Sequence, residues 1–399
     1  MVRSWLRILA TVAVTSGLFA GLADAQDAKK ITFKKAQLDP IFRSEGVAVG
    51  DFNKDGKNDI AAGYVWYAAP DWKMHSIIEK APEYNPNGYA NSFCTFALDV
   101  NHDEWLDIVV VDFPGTPTWW FENPKEAGKL WTKHTLTPVT NNESPAILDT
   151  DGDGKQELLF AFSPDPKNTD GPDRQVGFAK PQSDVNAEWK LFPVSEKNAP
   201  GAQRYSHGIG SGDVNKDGRN DVIIANGWWE APVERDTTPW KWHPANFDCG
   251  GGAAQMFAYD FDGDGDNDIL GTSPHGLGMY WFEQTEAGKF AKHEIDKSFS
   301  QTHGVCFVDM NGDGLMDFVT GKRYWAHGPK GDVDPGAPAI LAWYELKREG
   351  GKPSWIKHQI DHDSGVGTQF EVADVNGDKL LDVVVSNKKG VFYFEQVRE

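Results

Sequence analysis

One motif recurs seven times along the chain and restricts its fold more than any other property. Each copy is an acidic cluster, Asp-x-(Asp/Asn)-x-Asp, followed in most copies by Gly, with a further acid at the ninth position and then an apolar run. The copies are Asp51/Asn53/Asp55/Asp59, Asp99/Asn101/Asp103/Asp107, Asp149/Asp151/Asp153/Glu157 and Asp213/Asn215/Asp217/Asp221. Asp260/Asp262/Asp264/Asp268, Asp309/Asn311/Asp313/Asp317 and Asp374/Asn376/Asp378/Asp382 complete the set. Their first positions lie 48, 50, 64, 47, 49 and 65 residues apart. A period near 50 residues with strand-like content predicts the blades of a propeller.

Each unit divides into four strands. A small apolar run precedes the cluster, as in Gly46–Gly50, and a second follows it, as in Asp221–Ala225. A third is aromatic, as in Trp119-Trp-Phe121, and a fourth carries aromatic-x-x-His, as in Trp131 with His134 or Trp355 with His358. Those histidines recur at one repeat position and read as structural. The seventh unit has no fourth strand of its own, but Phe33–Asp39 aligns with Phe290–Asp296 and is placed to supply it. The expected fold is all-β: a seven-bladed β-propeller of four-stranded blades over residues 26–399, in which the N-terminal strand closes the last blade and so pairs both open edges.

Residues 1–25 read as a signal peptide. Arg3 and Arg7 precede an apolar stretch from Ile8 to Leu22, and Ala23-Asp24-Ala25 offers the small residues of a cleavage site. The expected location is secreted or periplasmic, with no membrane span in the mature chain. Removing Arg3, Arg7 and Asp24 with this segment changes the net charge from −20 to −21. So acidic a chain is a poor partner for nucleic acid or anionic membranes. Three cysteines, Cys94, Cys249 and Cys306, are too few for a disulfide framework.

Side-chain oxygens at positions 1, 3, 5 and 9 suit calcium, a hard cation with six to eight oxygen ligands, and Gly at position 6 allows the sharp turn. Asx-rich hairpin turns use the same residues. Seven copies favour the cation, because 23 of 58 mature acids would otherwise crowd at these positions. Up to seven structural calcium ions are expected. Glu104 and Lys379 replace the Gly in two loops, which are expected to bind more weakly.

The motif Asp-x-Asn-x-Asp-Gly-x-x-Asp resembles the FG-GAP, or VCBS, repeats of integrin-like propellers over essentially the whole mature chain. That group includes adhesion receptors and carbohydrate enzymes, so the resemblance implies a fold more than a function. Ser206–Asn215, Gly227–Pro232, Thr302-His-Gly304 and Thr320–Gly328 are also similar to the propeller part of aldos-2-ulose dehydratases, sugar lyases with further domains that this chain lacks.

Function is expected where the repeats disagree, on the face opposite the acidic loops. Six residues before each cluster stand Glu45, Phe93, Glu143, His207, Ala254, His303 and Thr368. After the second strands come His275, Lys322-Arg323-Tyr324 and Asn387-Lys388-Lys389, among others, and the two long spacings place extra residues at 165–174 and 327–336 on the same face. His207 and His303, with His275 and Glu45 or Glu143, form a candidate transition-metal site. The chemistry that fits is β-elimination from a sugar, with His207, His303 or Tyr324 as base and Arg323, Lys322 or a metal stabilising the enolate. Glu45, Glu143, His275, Trp228 and Trp325 are candidate substrate contacts. The alternative is a non-catalytic module in which Trp228, Tyr324 and Trp325 grip a glycan or a protein partner.

Overall fold

The run after each acidic cluster is rich in Val, Ile and Leu and buried on both faces, as in Asp107–Val111 and Asp382–Asn387, so it forms the interior of a sheet. The flanking runs pair with it as antiparallel neighbours. In this computed structural model, which describes residues 30–399, the chain forms 28 strands and, among the described residues, no α-helix. The segment read as a signal peptide lies outside the described residues.

The strands form a β-propeller of five four-stranded sheets and one eight-stranded sheet. Units four and five share the larger sheet through two parallel pairs, Ile209 with Gln255 and Gly210 with Met256. Gly210 makes this approach possible, since a Cβ there would lie 1.9 Å from the Met256 carbonyl oxygen. Ile31–Asp39 pairs antiparallel with Gly390–Arg398, so the N-terminal strand completes the last sheet as the repeat alignment predicts. On the inner side the Gln369 amide bonds both the N–H and the carbonyl of Val47, tying the seventh unit to the first.

The core is a ring of interfaces between consecutive sheets. Ile60 and Tyr67 of the first unit pack in one apolar cluster with Val319 and Trp343 of the sixth and Val384 and Phe394 of the seventh. Strand-four histidines belong to this scaffold. Trp66, Trp120, Trp228, Trp281 and Trp343 each stack on the His directly across the ladder, at centroid distances of 4.1 to 4.6 Å. In four of the five, a Glu two residues after the Trp bonds the same imidazole. Trp228 is therefore not a ligand contact: it is 3% exposed and covered by His243.

Candidate functional site

In every acidic loop, positions 4 and 6 have positive φ, and this curls the chain so that successive amides point inward. In six of the seven, the first Asp accepts the amide of position 6, as Asp51 does from Gly56 at 2.9 Å. The position-5 carboxylate accepts the amide of position 7, as Asp55 does from Lys57 at 2.9 Å. Glu104 and Lys379 take φ of 70° where the other loops have Gly, so the turn survives without it. Four acids of the third loop, Asp149, Asp151, Asp153 and Glu157, bring ligand atoms within 4.8 Å of one another, as do Asp260, Asp262 and Asp264 of the fifth. The third loop also receives Lys180, which lies where other units have the His-bonded Glu, and its ammonium pairs with Asp151 and Asp153.

The other five loops are arranged differently. Asn stands at position 3 in all five, and among the described residues their acids do not converge as those of the third and fifth loops do. Asn53, Asn101, Asn215, Asn311 and Asn376 each turn Oδ1 onto the amide of position 5, at 2.8 to 3.2 Å. Three of these side chains also donate: Asn101 to Glu122 at 3.4 Å, Asn311 to Glu345 at 2.9 Å and to Asp313 at 3.1 Å, and Asn376 to Asp378 at 3.2 Å. Position 5 is drawn towards cations of the protein itself. Asp55 lies 3.7 Å from the Lys57 ammonium, Asp103 2.7 Å from Lys125 and Asp313 3.3 Å from Lys347, while Asp217 pairs with the Arg219 guanidinium. The physical reason is charge: acids gathered in one turn repel one another, and a neighbouring ammonium, guanidinium or amide N–H relieves that repulsion. Asp55, Asn101, Asp217, Asn311, Asn376 and Asp378 thus each have a partner within the protein itself.

Position 9 is distinct from the other three. In six units both oxygens of this buried Asp accept backbone amides, one from position 2 and one from the third strand or the residue that follows it, as Asp107 does from Val100 at 3.0 Å and Asn123 at 2.8 Å. This residue staples loop to sheet. Burial outweighs the amide bonds and pushes Asp107, Asp221 and Asp317 up to about 7, and Asp59 and Asp268 to about 6.

The opposite face gathers side chains from different units. His207 and His303 precede the inner strands Ile209–Gly212 and Val305–Val308, Glu143 precedes Ala146–Leu148, and His275 and Arg323 follow second strands of the fifth and sixth units. Backbone bonds lock these connections together. Glu143 N–H donates to Ser206, and the Gln301 carbonyl accepts the amides of both His303 and Arg323. Gln301 has a φ of 60°, a conformation non-glycine residues take at a cost, which places strain beside the site.

These connections aim one ring nitrogen each from His207, His275 and His303 into a space where the three lie within 4.8 Å. His275 Nε2 is 3.0 Å from His207 Nε2. Glu143 Oε2 lies 3.4 Å from His207 Nε2, 3.3 Å from His303 Nε2 and 3.2 Å from Arg323 Nη1. Arg323 Nε reaches Glu45 Oε2 at 3.2 Å. Burial works to raise the Glu143 carboxyl, but the two imidazoles and the Arg323 charge outweigh it and hold it well below the usual carboxylate range. Burial and then the Arg323 charge push His303 well below the usual imidazole value, so its ring is neutral. Both nitrogens of His303, Glu45 Oε1 and Arg323 Nη2 are buried without a hydrogen-bond partner among the described residues. A His trio beside a carboxylate is a donor set that zinc or manganese accepts.

Other expected residues lie elsewhere. Lys322 is buried, donates to Ser300 Oγ at 2.6 Å and is lowered to about 8 by burial, which makes it a strut and not an enolate partner. Tyr324 packs on Trp325 at 4.9 Å and under the Lys389 ammonium at 4.4 Å, and among the described residues it makes no hydrogen bond or ring pair with a histidine. Trp325 contributes its carbonyl to Lys388.

Two features were not anticipated. Asp332, in the long loop of the sixth unit, lies 3.2 Å from His275 Nδ1 and holds His327 Nδ1 at 2.8 Å. Burial opposes its ionisation, but the two imidazoles hold its carboxyl well below the ordinary range. The length of the insertion was the signal; the pairing was not readable from it. A wall of rings from Tyr89, Phe113 and Tyr205 stands beside the histidines, Tyr89 lying 6.4 Å from His327. Tyr89 and Tyr205 come from connections between units and Phe113 from a connection within the second unit, stretches that the repeat does not constrain.

A family model described as an FG-GAP-like repeat matches residues 99–160 and 260–320. No curated protein matches the chain. Among solved structures it is similar to an Agrocybe aegerita lectin described in terms of specific recognition of non-reducing terminal N-acetylglucosamine, with 16% identity, 84% of this chain and 82% of that one covered, and a TM-score of 0.43. It is also similar to rhamnogalacturonan lyase YesW, at 11% identity, 91% and 72% coverage and a TM-score of 0.44. The V. cholerae biofilm matrix protein Bap1 aligns at 11% identity, 92% and 81% coverage and a TM-score of 0.37. Acidic loops stapled into sheet after sheet form a β-propeller arrangement, and the family match shows that FG-GAP-like repeats are present in it.

Proposed function

We propose that this protein is a secreted, calcium-binding sugar lyase whose reaction centre is the His207/His275/His303/Glu143 cluster. The eight-stranded sheet counts as two blades joined at their inner strands, giving seven in all. Calcium fills the acidic loops by displacing the ammonium, guanidinium and amide partners of positions 1, 3 and 5, with position 9 chiefly as a staple. The observation that carries the reading is the convergence of three histidine nitrogens from three separate units, two of them against the Glu143 carboxylate, beside a buried arginine with an unused N–H group.

A divalent transition metal held by the three histidines and Glu143 would supply a Lewis acid for a sugar carbonyl or carboxylate oxygen. The remaining residues divide the other work. Asp332 accepts the Nδ1 proton of His327, which leaves the Nε2 lone pair of that half-exposed ring free as a base. His327 removes the proton beside the carbonyl, and the C–H electrons form the double bond. The β-oxygen leaves with its bonding pair and takes a proton from the imidazolium, so that the base is restored. Arg323 Nη2 is the donor for the enolate oxygen.

Elemental analysis of the purified protein, paired with ultraviolet assay of keto-sugars, anhydro-sugars and uronides for an unsaturated product, tests this. His303→Ala should lose the metal and all turnover. Turnover that survives in His303→Ala, or an active wild-type protein without a stoichiometric transition metal, refutes the centre. Glycan binding without turnover in the wild type would replace the enzyme by a binding module.

A further inference from the structure

Tyr89, Phe113 and Tyr205 form a continuous row, with centroids 5.6 Å apart from Tyr89 to Phe113 and 5.8 Å from Phe113 to Tyr205. Tyr89 is 41% and Tyr205 43% exposed, so their faces are open to a ligand. A cation stands at each end. The Lys388 ammonium lies 5.0 Å from the Tyr89 ring, and the Arg204 guanidinium 4.7 Å from Tyr205 and 5.9 Å from Phe113.

Both cations hold to backbone oxygens: Lys388 Nζ donates to the carbonyls of Trp325 and Ala326, and Arg204 Nε to that of Pro114. Neither pairs with a carboxylate among the described residues, in a chain whose net charge is −20. Asp112, next to Phe113, is engaged with the Trp119 indole and the Phe113 amide, while Glu45 and Asp332 lie close enough to the Tyr89 and Lys388 end to act on it electrostatically. Lys388 is 5% exposed, so the cation open to a ligand is Arg204, which is only half-buried. A row of rings ending at a guanidinium that pairs with no carboxylate matches a chain of sugar rings carrying carboxylates: pyranose faces lie on the aromatics, and an acid meets Arg204.

We infer that this row is a subsite for a carboxylated glycan, a uronate oligosaccharide, which it leads to the histidine cluster through His327. The inference rests on the lyase reading and names its substrate class. The net negative charge of the whole chain repels polyanions at long range, so the attraction is local and favours short uronides over densely sulfated polymers.

Calorimetry on the mature protein tests this with di-, tri- and tetrasaccharides of galacturonate, glucuronate and mannuronate, each set against its carboxyl-reduced counterpart. At least one acidic series should bind about tenfold or more tightly than its reduced form, as expected for charge-assisted hydrogen bonds. Arg204→Gln should remove most of that preference, while Tyr89→Ala and Tyr205→Ala weaken acidic and reduced ligands alike. Equal affinity for acidic and reduced sugars, no uronide binding at all, or indifference to Arg204→Gln overturns the inference. Binding is measured in His303→Ala as well. Uronide binding there and in a wild type without turnover leaves the subsite standing and removes the lyase, whereas turnover of a neutral sugar without uronide binding does the reverse.

Discussion

Residues within one acidic loop divide their labour unequally. Asp107 holds two backbone amides from outside the turn, while Asp99 accepts amides within it and Asp103 pairs with Lys125. Replacing Asp107 by Ala should cost about 2–4 kcal/mol with or without calcium, because it orphans buried donors. Asp103→Ala should cost stability mainly when calcium is present, and chemical denaturation in chelator and in calcium separates the two. A gain is expected at two other positions. Glu104 and Lys379 sit at φ of 70°, so Glu104→Gly and Lys379→Gly should each stabilise by about 1 kcal/mol, read as a rise in the denaturation midpoint.

At the scale of the element, the decisive piece is the N-terminal strand. Its pairs run from Ile31 with Arg398 to Asp39 with Val391, and Lys35 adds an ion pair to Asp361 at 2.7 Å. Deleting residues 30–38 spares Asp39, which anchors Arg43 and Tyr67, yet leaves the strand Gly390–Arg398 as an open edge. The melting temperature should fall by on the order of 10 °C. An unchanged value would mean that the strand is only an attachment. This strand was legible in the sequence because Phe33–Asp39 copies the pattern of a strand whose partners are known from the repeat. Units, strand order and scaffold histidines were legible for the same reason: a repeat fixes every position that obeys it. The site was only half legible. His207, His303, His275, Glu143 and Arg323 stood out as departures, but Arg323 meets Glu45 across 278 residues of chain, a contact no local pattern encodes. Trp228 misled because burial under a neighbouring imidazole depends on the sheet register, and Asp332 escaped because its loop follows no period. The partners of Asn101 and Asn311 were hidden in the same way, since Glu122 and Glu345 reach them from the third strand.

For the whole molecule, charge is the dominant variable. The buried position-9 acids bind protons in the folded state up to about pH 7, against an ordinary value of 3.8 for Asp. Between those values the folded chain holds more protons than the unfolded one, so in chelator stability should fall as pH rises through this window and level off above it. Calcium should raise the melting temperature most at the upper end, where the loops are ionised and repel one another. Scanning calorimetry across pH, with and without calcium, reads both effects. A melting temperature that ignores calcium at every pH would remove the cation from the loops.

Joining the first strand to the last also imposes an order in time. Residues 31–39 can find their partner only after residues 390–398 exist, so during synthesis the earliest strand waits, unpaired, for the latest. Such a long-range pairing is intrinsically slow, and until it forms both edges are templates for another copy of the chain. The contact that makes the finished ring resistant to association therefore makes the unfinished one prone to it, and the hazard of this fold is concentrated in the interval just before the ring closes.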